Sequence, residues 1–446
     1  MKLTPYGAVG RIGGSMFGLE LDDVQIMLDV GIHFGSDFEY GFIRPNAGAG
    51  LADQFITGGA PKVPGFWSEK ALSYYTNVIR KRDIRYEPPR YDRILVSHVH
   101  GDHIYMARYT DPNIPVAMSP TGLSVLSSLT TTSRWFGPLR NTWTVPFPRR
   151  FDIEGTAVTA FPVNHSVPGA VSLLIESDTT VLYTGDLRDG PQTRAMLGAV
   201  AKAGVDTLLT EGTRVGQNGD DRTEETVERE VLAIVKDHKD RLVLETHAPR
   251  DIERAWTVYK IALLTGRRYV MTPRLFHLLR TLRDDGLLPY PFDLSSVGLY
   301  WPEAVRPSKW VQEVLDSASQ QIITHREIRR SQGSFVVELD DHRLFRLADF
   351  NPKSGAAYIW SKHEFADDEE QMRREVVQNH LNLYGIRRYV AHASGHLSEM
   401  QVARMVRRLA PKVVIPVHTE HPEKFKQFVD ANAKVVLPKV GRGIQL

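Results

Sequence analysis

Short apolar runs that end in polar or small residues predict most strands in the first half of the chain. A run of four to eight such residues is typical of a buried strand, and alternation of apolar and polar residues indicates a strand with one exposed face. Residues 15–21 and 24–29 are predicted to form a β-hairpin around the turn Asp22-Asp23. Further strands are predicted at residues 94–96, 114–118, 158–163, 170–175, 181–184 and 205–211, with helices at 67–80 and 121–135.

From about residue 212 to residue 388 the pattern becomes an alternation of strands and helices, which is typical of a doubly wound layer. Strands are predicted at 241–245, 269–271, 335–339 and 356–360, and helices at 224–236, 251–264, 274–283, 309–317 and 367–383. We therefore expect an inserted domain at 212–388, between the two parts of a first domain at 1–211 and 389–446. Residues 36–90 are rich in glycine, proline and aromatic residues. We expect them to form a loop over a functional site in the first domain.

Composition and charge limit the classes of protein to which the chain can belong. Its 446 residues suffice for two or three domains, and the apolar fraction of 42% is typical of a soluble globular protein. No apolar run has the length of a membrane span and no signal peptide is evident, so we expect a cytoplasmic protein without a membrane partner. The absence of cysteine excludes disulfides, thiolate zinc sites and a cysteine nucleophile.

A formal net charge of +2 means that affinity for a polyanion has to come from local patches. The candidate basic patches lie in the predicted insert: Arg267-Arg268, Arg274, His325-Arg326 and Arg329-Arg330. Basic pairs of this kind are more often part of a solvated face, and contact with a nucleic acid is the alternative.

The stretch that follows the predicted strand at 94–96 contains four potential metal ligands within six residues: His98, His100, Asp102 and His103. Imidazole nitrogens with one carboxylate oxygen suit a borderline ion such as zinc. A strand that passes into a loop and a helix start directs these side chains to one point. Four ligands exceed one tetrahedral site, so a dinuclear centre is predicted. The alternative is a histidine-rich surface loop, which would not require the buried strand before it.

Other candidate ligands stand at the ends of other predicted strands. His165 and Asp186 would supply a third imidazole for one ion and a carboxylate that bridges both. Each is a weak signal alone, since a histidine or acid after a strand is usually structural. Asp29 would support a metal-bound histidine by a hydrogen bond, or simply cap its strand. Glu211 also ends a predicted strand.

The order of these motifs resembles that of the metallo-β-lactamase fold: His98-Val-His-Gly-Asp-His103, then His165, then Thr184-Gly-Asp186. The later motifs resemble the β-CASP branch, whose nucleases include ribonuclease J and the endonuclease of pre-mRNA 3′ ends. The resemblance implies a four-layer αββα sandwich with an inserted α/β β-CASP domain. These later motifs are Glu211-Gly-Thr213, His392-Ala-Ser-Gly-His396 and Pro416-Val-His418.

The resemblance also implies a role for each candidate residue. Two zinc ions, or manganese in their place, would hold a hydroxide as the nucleophile for hydrolysis of an RNA phosphodiester. His396 would be the general acid, oriented by Glu211. The first ion would be bound by His98, His100 and His165, and the second by Asp102, His103 and His418, with Asp186 bridging and Asp29 supporting the site.

Two positions refine the expected substrate. Glu211-Gly-Thr213 replaces the Asp-Ser-Thr usual in ribonuclease J and is nearer to the Glu-Ser-Thr of the endonuclease members. DNA-repair members typically lack a histidine at the position of His418, so its presence favours RNA. Backbone amides around Ser394 and Gly395 would bind an RNA 5′ phosphate, unless this segment is only a tight turn. A homodimer is left open, because the chain has no extension like that of longer ribonuclease J proteins.

Three other functions remain as alternatives. The first is a nuclease of the same fold that acts on DNA, including single-stranded DNA. The second is a nucleic-acid-binding subunit with a vestigial metal site, against which the complete ligand set argues. The third is hydrolysis of small esters, lactams or thioesters, which a large insert over the site disfavours.

Overall fold

The computed structural model describes residues 1–21, 23–33, 50–74, 76–145, 149–217, 221–363, 368–430 and 433–446. Asp22 of the predicted hairpin turn and residues 36–49 of the predicted loop lie outside the described residues. The chain divides into two compact units. The first comprises residues 1–130, 134–220 and 395–446, and the second comprises 131–133 and 221–394.

Two seven-stranded sheets form the first unit. In the order of pairing, the first sheet contains Ile444–Gln445, Lys2–Pro5, Phe17–Glu20, Gln25–Leu28, Arg93–Leu95, Val116–Met118 and Thr142–Thr144. The second contains Lys434–Val435, Val413–Val417, Thr207–Glu211, Thr180–Tyr183, Val171–Glu176, Thr156–Pro162 and Arg150–Ile153. In each sheet one half is antiparallel and the other half is parallel.

One apolar core joins the two sheets face to face. Phe17, Leu28 and Leu95 of the first sheet share this core with Leu173 and Leu209 of the second. The other face of the second sheet packs against two helices, Pro191–Ala203 and Glu399–Leu409. This arrangement confirms the predicted αββα fold class. The other helices of this unit are Gly50–Thr57, Glu69–Ser73, Thr76–Lys81, Gly101–Ile104 and Pro120–Thr132.

The second unit is built on a six-stranded sheet whose strands are all parallel. Its core contains Leu244, Val337 and Trp360 from three neighbouring strands. The order of pairing is Gly298–Leu299, Arg268–Met271, Phe335–Glu338, Val243–His247, Ala357–Ser361 and Arg387–Val390. The helices are Glu224–Asp237, Ile252–Leu264, Pro273–Asp284, Lys309–Ser317, His325–Arg330, Leu347–Phe350 and Asp368–Leu383.

The structure differs from the predicted elements in a few places. The helix predicted at 67–80 is two short helices, because the backbone at Tyr74 is extended, with φ −78° and ψ 132°. The domain boundary predicted at 388 lies a few residues before the end of the second unit. Arg387–Val390 pairs in parallel with Ala357–Ser361, so that strand belongs to the sheet of the second unit.

A backbone clamp holds the loop that carries Asp102 and His103. The amide of Val30 donates to the carbonyl of His103 at 2.7 Å, and the amide of Ser15 donates to that of Asp102 at 2.8 Å. Gly31 lies so close to this loop that a Cβ atom there would be 1.6 Å from the Asp102 carbonyl oxygen. Only glycine permits this approach, so Gly31 is part of what positions the loop.

We predict that Gly31→Ala lowers the free energy of unfolding by about 1–3 kcal/mol or more. This is the usual cost of forcing extra atoms into a packed interior. Chemical denaturation measures the change. Gly198→Ala is the control: this glycine lies inside a helix, its nearest neighbour is an arginine side chain at 3.4 Å, and alanine favours the helix. Equal stability of the two variants would contradict the prediction.

Candidate dinuclear metal centre

The candidate ligands follow strands that end at a shared edge in each sheet of the first unit. Neighbouring parallel strands end on the same side, so the residues after them lie close together. In the first sheet these residues are Asp29 and His98. In the second sheet they are Asp186, Glu211 and His418.

Three histidines form the first group of converging ligand atoms. The Nδ1 atom of His100 is 3.1 Å from Nε2 of His98 and 3.1 Å from Nε2 of His165. A tetrahedral zinc ion with Zn–N bonds of about 2.0–2.1 Å separates its nitrogen ligands by roughly 3.3 Å. The spacing of the three nitrogens therefore fits one ion.

The hydrogen bonds around these rings assign their tautomers. His165 Nδ1 is 2.7 Å from the carbonyl oxygen of Gly395, which can only accept, so Nδ1 carries the proton. His98 Nδ1 is 3.0 Å from Ser97 Oγ, whose own proton goes to Asp29 at 2.7 Å, so His98 Nδ1 must also donate. In both neutral rings the Nε2 lone pair then faces His100. Converging lone pairs of this kind favour a cation between them.

The second group contains Asp102, His103, Asp186 and His418, whose ligand atoms lie within 4.8 Å of one another. His103 Nε2 is 3.2 Å from Asp186 Oδ2, and His418 Nε2 is 3.1 Å from Asp102 Oδ2. His418 Nδ1 contacts the hydroxyl of Thr213 at 2.9 Å. The Nε2 atoms of both histidines thus face the carboxylates, in a donor set suited to zinc or manganese.

Asp186 lies between the two groups. Its Oδ2 atom is 3.8 Å from Nε2 of His98 in the first group and 3.2 Å from Nε2 of His103 in the second. Its Oδ1 atom is buried and has no hydrogen-bond partner among the described residues. A buried carboxylate oxygen without a donor is costly unless a cation neutralises it. This atom supports the assignment of Asp186 as a bridging ligand.

Asp29 lies behind the ligands, fully buried, and its carboxylate accepts four hydrogen bonds. The donors are His103 Nδ1 at 2.7 Å, Tyr183 Oη at 2.5 Å, and the amide and hydroxyl of Ser97 at 2.6 and 2.7 Å. The bond to His103 leaves Nε2 of that ring for an ion, as in the carboxylate–histidine pairs of metal sites. The supporting role of Asp29 stays a prediction, which this contact favours.

Charge interactions in the cluster are strong when no ion is bound. Burial opposes the charged form of His103, but the carboxylates of Asp186 and Asp29 outweigh it and raise its pKa well above 6.5. Burial and the ring of His103 lower the pKa of His98 well below that value. Binding of a cation at the second group therefore has to displace a proton from His103.

Glu211 and His396 form a pair beside the metal ligands. Glu211 Oε1 accepts from His396 Nδ1 at 3.0 Å and from the Leu187 amide at 3.1 Å, and Oε2 accepts from the Thr213 amide at 3.0 Å. Burial opposes protonation of His396, but Glu211 and Asp186 overcome it and raise its pKa from 6.5 to about 9. The ring also lies 5.2 Å from that of His165, centroid to centroid.

Gly395 has a contact that the sequence did not indicate. Its carbonyl holds the ring of His165, and a Cβ atom on it would be 2.9 Å from Ser166 Oγ. The close approach explains glycine at this position. The predicted binding of a 5′ phosphate by Ser394 and Gly395 stays a prediction.

Sequence reasoning missed three residues that orient ligands: Ser97, Tyr183 and Thr213. Each lies inside or next to a motif, but only the folded chain brings its hydroxyl to a ligand or to Asp29. The backbone is also strained at two site residues, since φ is 56° at Asp29 and 51° at His418. Non-glycine residues in this region usually mark functional positions.

The basic pairs of the second unit are used largely for structure. Arg267 donates to five backbone carbonyls, including those of Arg241 and Phe335. Arg268 donates to the carbonyls of Ser296 and Val297, and Arg329 to those of Ala348 and Asp349. These contacts favour the structural interpretation for the three arginines.

Comparisons with known proteins agree with the fold and the motifs. Residues 72–248 match the family model described as a beta-lactamase superfamily domain. Ribonuclease J of Mycoplasma genitalium is 23% identical over 437 residues, which cover 94% of this chain and 68% of that protein. The chain is therefore similar to proteins of the metallo-β-lactamase superfamily. This confirms the resemblance inferred from the motifs, including the ribonuclease J-like branch.

Two other similar proteins are matched over a smaller share of their own length. Ribonuclease J of Sinorhizobium meliloti is 22% identical, with 73% of this chain and 57% of that protein covered. Ribonuclease J of Helicobacter pylori strain 26695 is 21% identical, with 96% and 57% covered. The chain thus spans little more than half of these two relatives.

A solved structure shows the same fold over the whole chain. It is a protein of unknown function from Enterococcus faecalis, with a TM-score of 0.79, 19% identity, and coverage of 100% of this chain and 99% of that one. The superfamily fold implies binding of a divalent metal. Among the described helices, none combines the length and the apolar character needed to cross a membrane.

We predict that Asp186→Asn, which keeps the shape but removes the charge, lowers bound zinc or manganese from two ions per chain to one or none. Elemental analysis after dialysis measures this. The increase in melting temperature on addition of metal should also be smaller in the variant, because an ion stabilises the folded protein only when it is bound to it. Glu20→Gln, in an exposed pair with Lys2, is the control. Two tightly bound ions in Asp186→Asn would contradict the bridging role.

Proposed function

We propose that this chain is a two-metal ribonuclease that hydrolyses RNA phosphodiesters, in 5′→3′ exonucleolytic mode, endonucleolytic mode or both. The observation that carries the proposal is the position of Asp186 between two groups of converging ligand atoms. Its Oδ1 atom has no hydrogen-bond donor within the described part of the chain. The relatives named ribonuclease J support RNA as the substrate class.

The residues divide the work of hydrolysis among themselves. Two bound divalent ions would supply a nucleophile at neutral pH and neutralise charge on the phosphate. Asp186 and the five histidines would hold these ions in place, and Asp102 would complete the second group. Asp29 accepts a hydrogen bond from His103 Nδ1, so Nε2 is the atom of that ring left to bind an ion.

His396 is the candidate general acid for the departing oxygen. Glu211 accepts a hydrogen bond from His396 Nδ1. Nε2 of the ring therefore faces away from Glu211 and can carry the proton that is transferred to the departing oxygen. Glu211 is itself fixed by two backbone amides. A positioned acid of this kind contributes roughly 10²–10⁴ in rate.

A time course on RNA labelled at either end tests the proposal. The substrates carry a 5′ monophosphate or triphosphate, and a DNA strand of the same sequence is run beside them. We expect metal-dependent cleavage of RNA and little cleavage of DNA. The order of products reports polarity and end preference. Faster cleavage of DNA would support the DNA nuclease, and no cleavage by the two-ion protein would support a binding subunit.

We predict that His396→Ala lowers the rate of RNA cleavage by about 10²–10⁴ and leaves two ions bound, because His396 is outside the assigned ligand set. Single-turnover cleavage and elemental analysis measure the two effects. His380→Ala, on an exposed helix position of the second unit, is the matched control. Near-normal cleavage by His396→Ala would show that another group protonates the departing oxygen.

A further inference from the structure

We propose that Ser97 and Tyr183 are positioning residues that couple the two metal positions through the buried carboxylate of Asp29. The inference rests on the proposed two-metal function, since it concerns how the chain prepares both groups of ligands. It assigns a role to two hydroxyl groups that would not themselves bind an ion. They contact Asp29 and, in the case of Ser97, also the Nδ1 atom of His98. It also explains why one carboxylate collects four donors.

Asp29 reaches the second metal position directly. Its Oδ2 atom accepts a hydrogen bond from His103 Nδ1 at 2.7 Å, so Nε2, which faces Asp186 at 3.2 Å, is the ring atom left to bind an ion. Both side chains are buried to 99% or more. The ring therefore has one orientation and one tautomer in which it can bind an ion.

Asp29 reaches the first metal position through Ser97. The Ser97 hydroxyl has one proton, which goes to Asp29 Oδ2 at 2.7 Å. Its oxygen is then the acceptor for His98 Nδ1 at 3.0 Å. This relay holds the His98 proton on Nδ1 and directs the Nε2 lone pair towards His100. The Ser97 amide also donates to Asp29 Oδ1 at 2.6 Å, which fixes the serine itself.

Tyr183 supports the shared carboxylate from the second sheet. Its hydroxyl donates to Asp29 Oδ2 at 2.5 Å, and the side chain is almost completely buried. Tyr183 lies two residues before Gly185 and three before Asp186 in the chain. The strand that delivers the bridging carboxylate thus also supplies a donor to the carboxylate that orients His103 and, through Ser97, His98.

The network predicts different effects for the two hydroxyl groups. Without the Ser97 hydroxyl, His98 loses the acceptor that fixes its tautomer, whereas the bond from His103 to Asp29 remains. Without the Tyr183 hydroxyl, Asp29 loses one of four donors. Both of its connections, the one to His103 and the one through Ser97 to His98, are then weakened. Loss of an outer hydrogen-bond partner typically costs 10- to 100-fold in metal affinity.

The experiment titrates the metal-free full chain with Zn²⁺ against a chelator, which resolves two dissociation constants, and with Co²⁺, whose visible spectrum reports ligand geometry. In Ser97→Ala we expect one constant to rise by about 10- to 100-fold and the other to stay within a few-fold. In Tyr183→Phe we expect both constants to rise by about 10-fold. The Co²⁺ spectrum should change in both variants.

Matched controls separate this role from a general effect on folding. Tyr269→Phe removes another buried tyrosine hydroxyl that donates to a buried carboxylate, Glu245, at 2.6 Å, in the second unit. Ser361→Ala removes a buried serine hydroxyl that donates to the carbonyl of Ala391 at 2.6 Å. Both controls should keep wild-type metal constants and spectra even if their melting temperatures fall.

The outcomes distinguish the inference from the proposed function. If the wild-type chain binds two ions and cleaves RNA, but Ser97→Ala and Tyr183→Phe fold and keep wild-type constants and spectra, the coupling is wrong and the function stands. Equal effects of all four substitutions would also overturn it, since the hydroxyls would then be only structural. If the wild-type chain binds fewer than two ions, both the coupling and the two-metal function fail.

Discussion

The free-energy cost of burying charged groups together is the constraint on which the first unit depends. Four carboxylates and six imidazoles meet at one site, and most of them are buried. Such groups are tolerated inside a protein only when each is paired, hydrogen-bonded or bound to a metal. Asp29 and Glu211 meet this requirement with several donors each. Asp186 does so only in part, and its remaining oxygen is the strongest indication that a cation belongs there.

The two-sheet architecture makes this concentration of charge possible. Parallel strands in both sheets end on the same side. The residues that directly follow these strands therefore converge, and no long loop has to be ordered to bring them together. The apolar core between the sheets holds those strand ends rigidly. The same rigidity allows strained backbone at Asp29 and His418, where a positive φ aims a side chain at the cluster. Stability elsewhere in the unit thus supports precise placement at the site.

The second unit supplies none of the seven candidate ligands. All of them, with Glu211 and His396, belong to the first unit, and only Ser394 among the predicted site residues belongs to the second. The arginines of the second unit that were candidates for nucleic-acid contact largely bind backbone carbonyls in its own sheet and loops. The candidate metal ligands therefore all lie within the first unit.

The sequence by itself indicated the candidate residues of the site and the kind of element that carries each one. The apolar runs before His98, Asp186, Glu211 and His418 all became strands, because burial of a short apolar run is a local property of the chain. The candidate ligands were proposed from residue type, from the order of the motifs and from the family resemblance. The break in the helix predicted at 67–80, the end of the second unit, and the contacts of Ser97, Tyr183, Thr213 and Gly395 were decided only by tertiary structure. Their contacts join segments far apart in sequence, and a hydroxyl or a glycine has no distinctive pattern until its partner is in place.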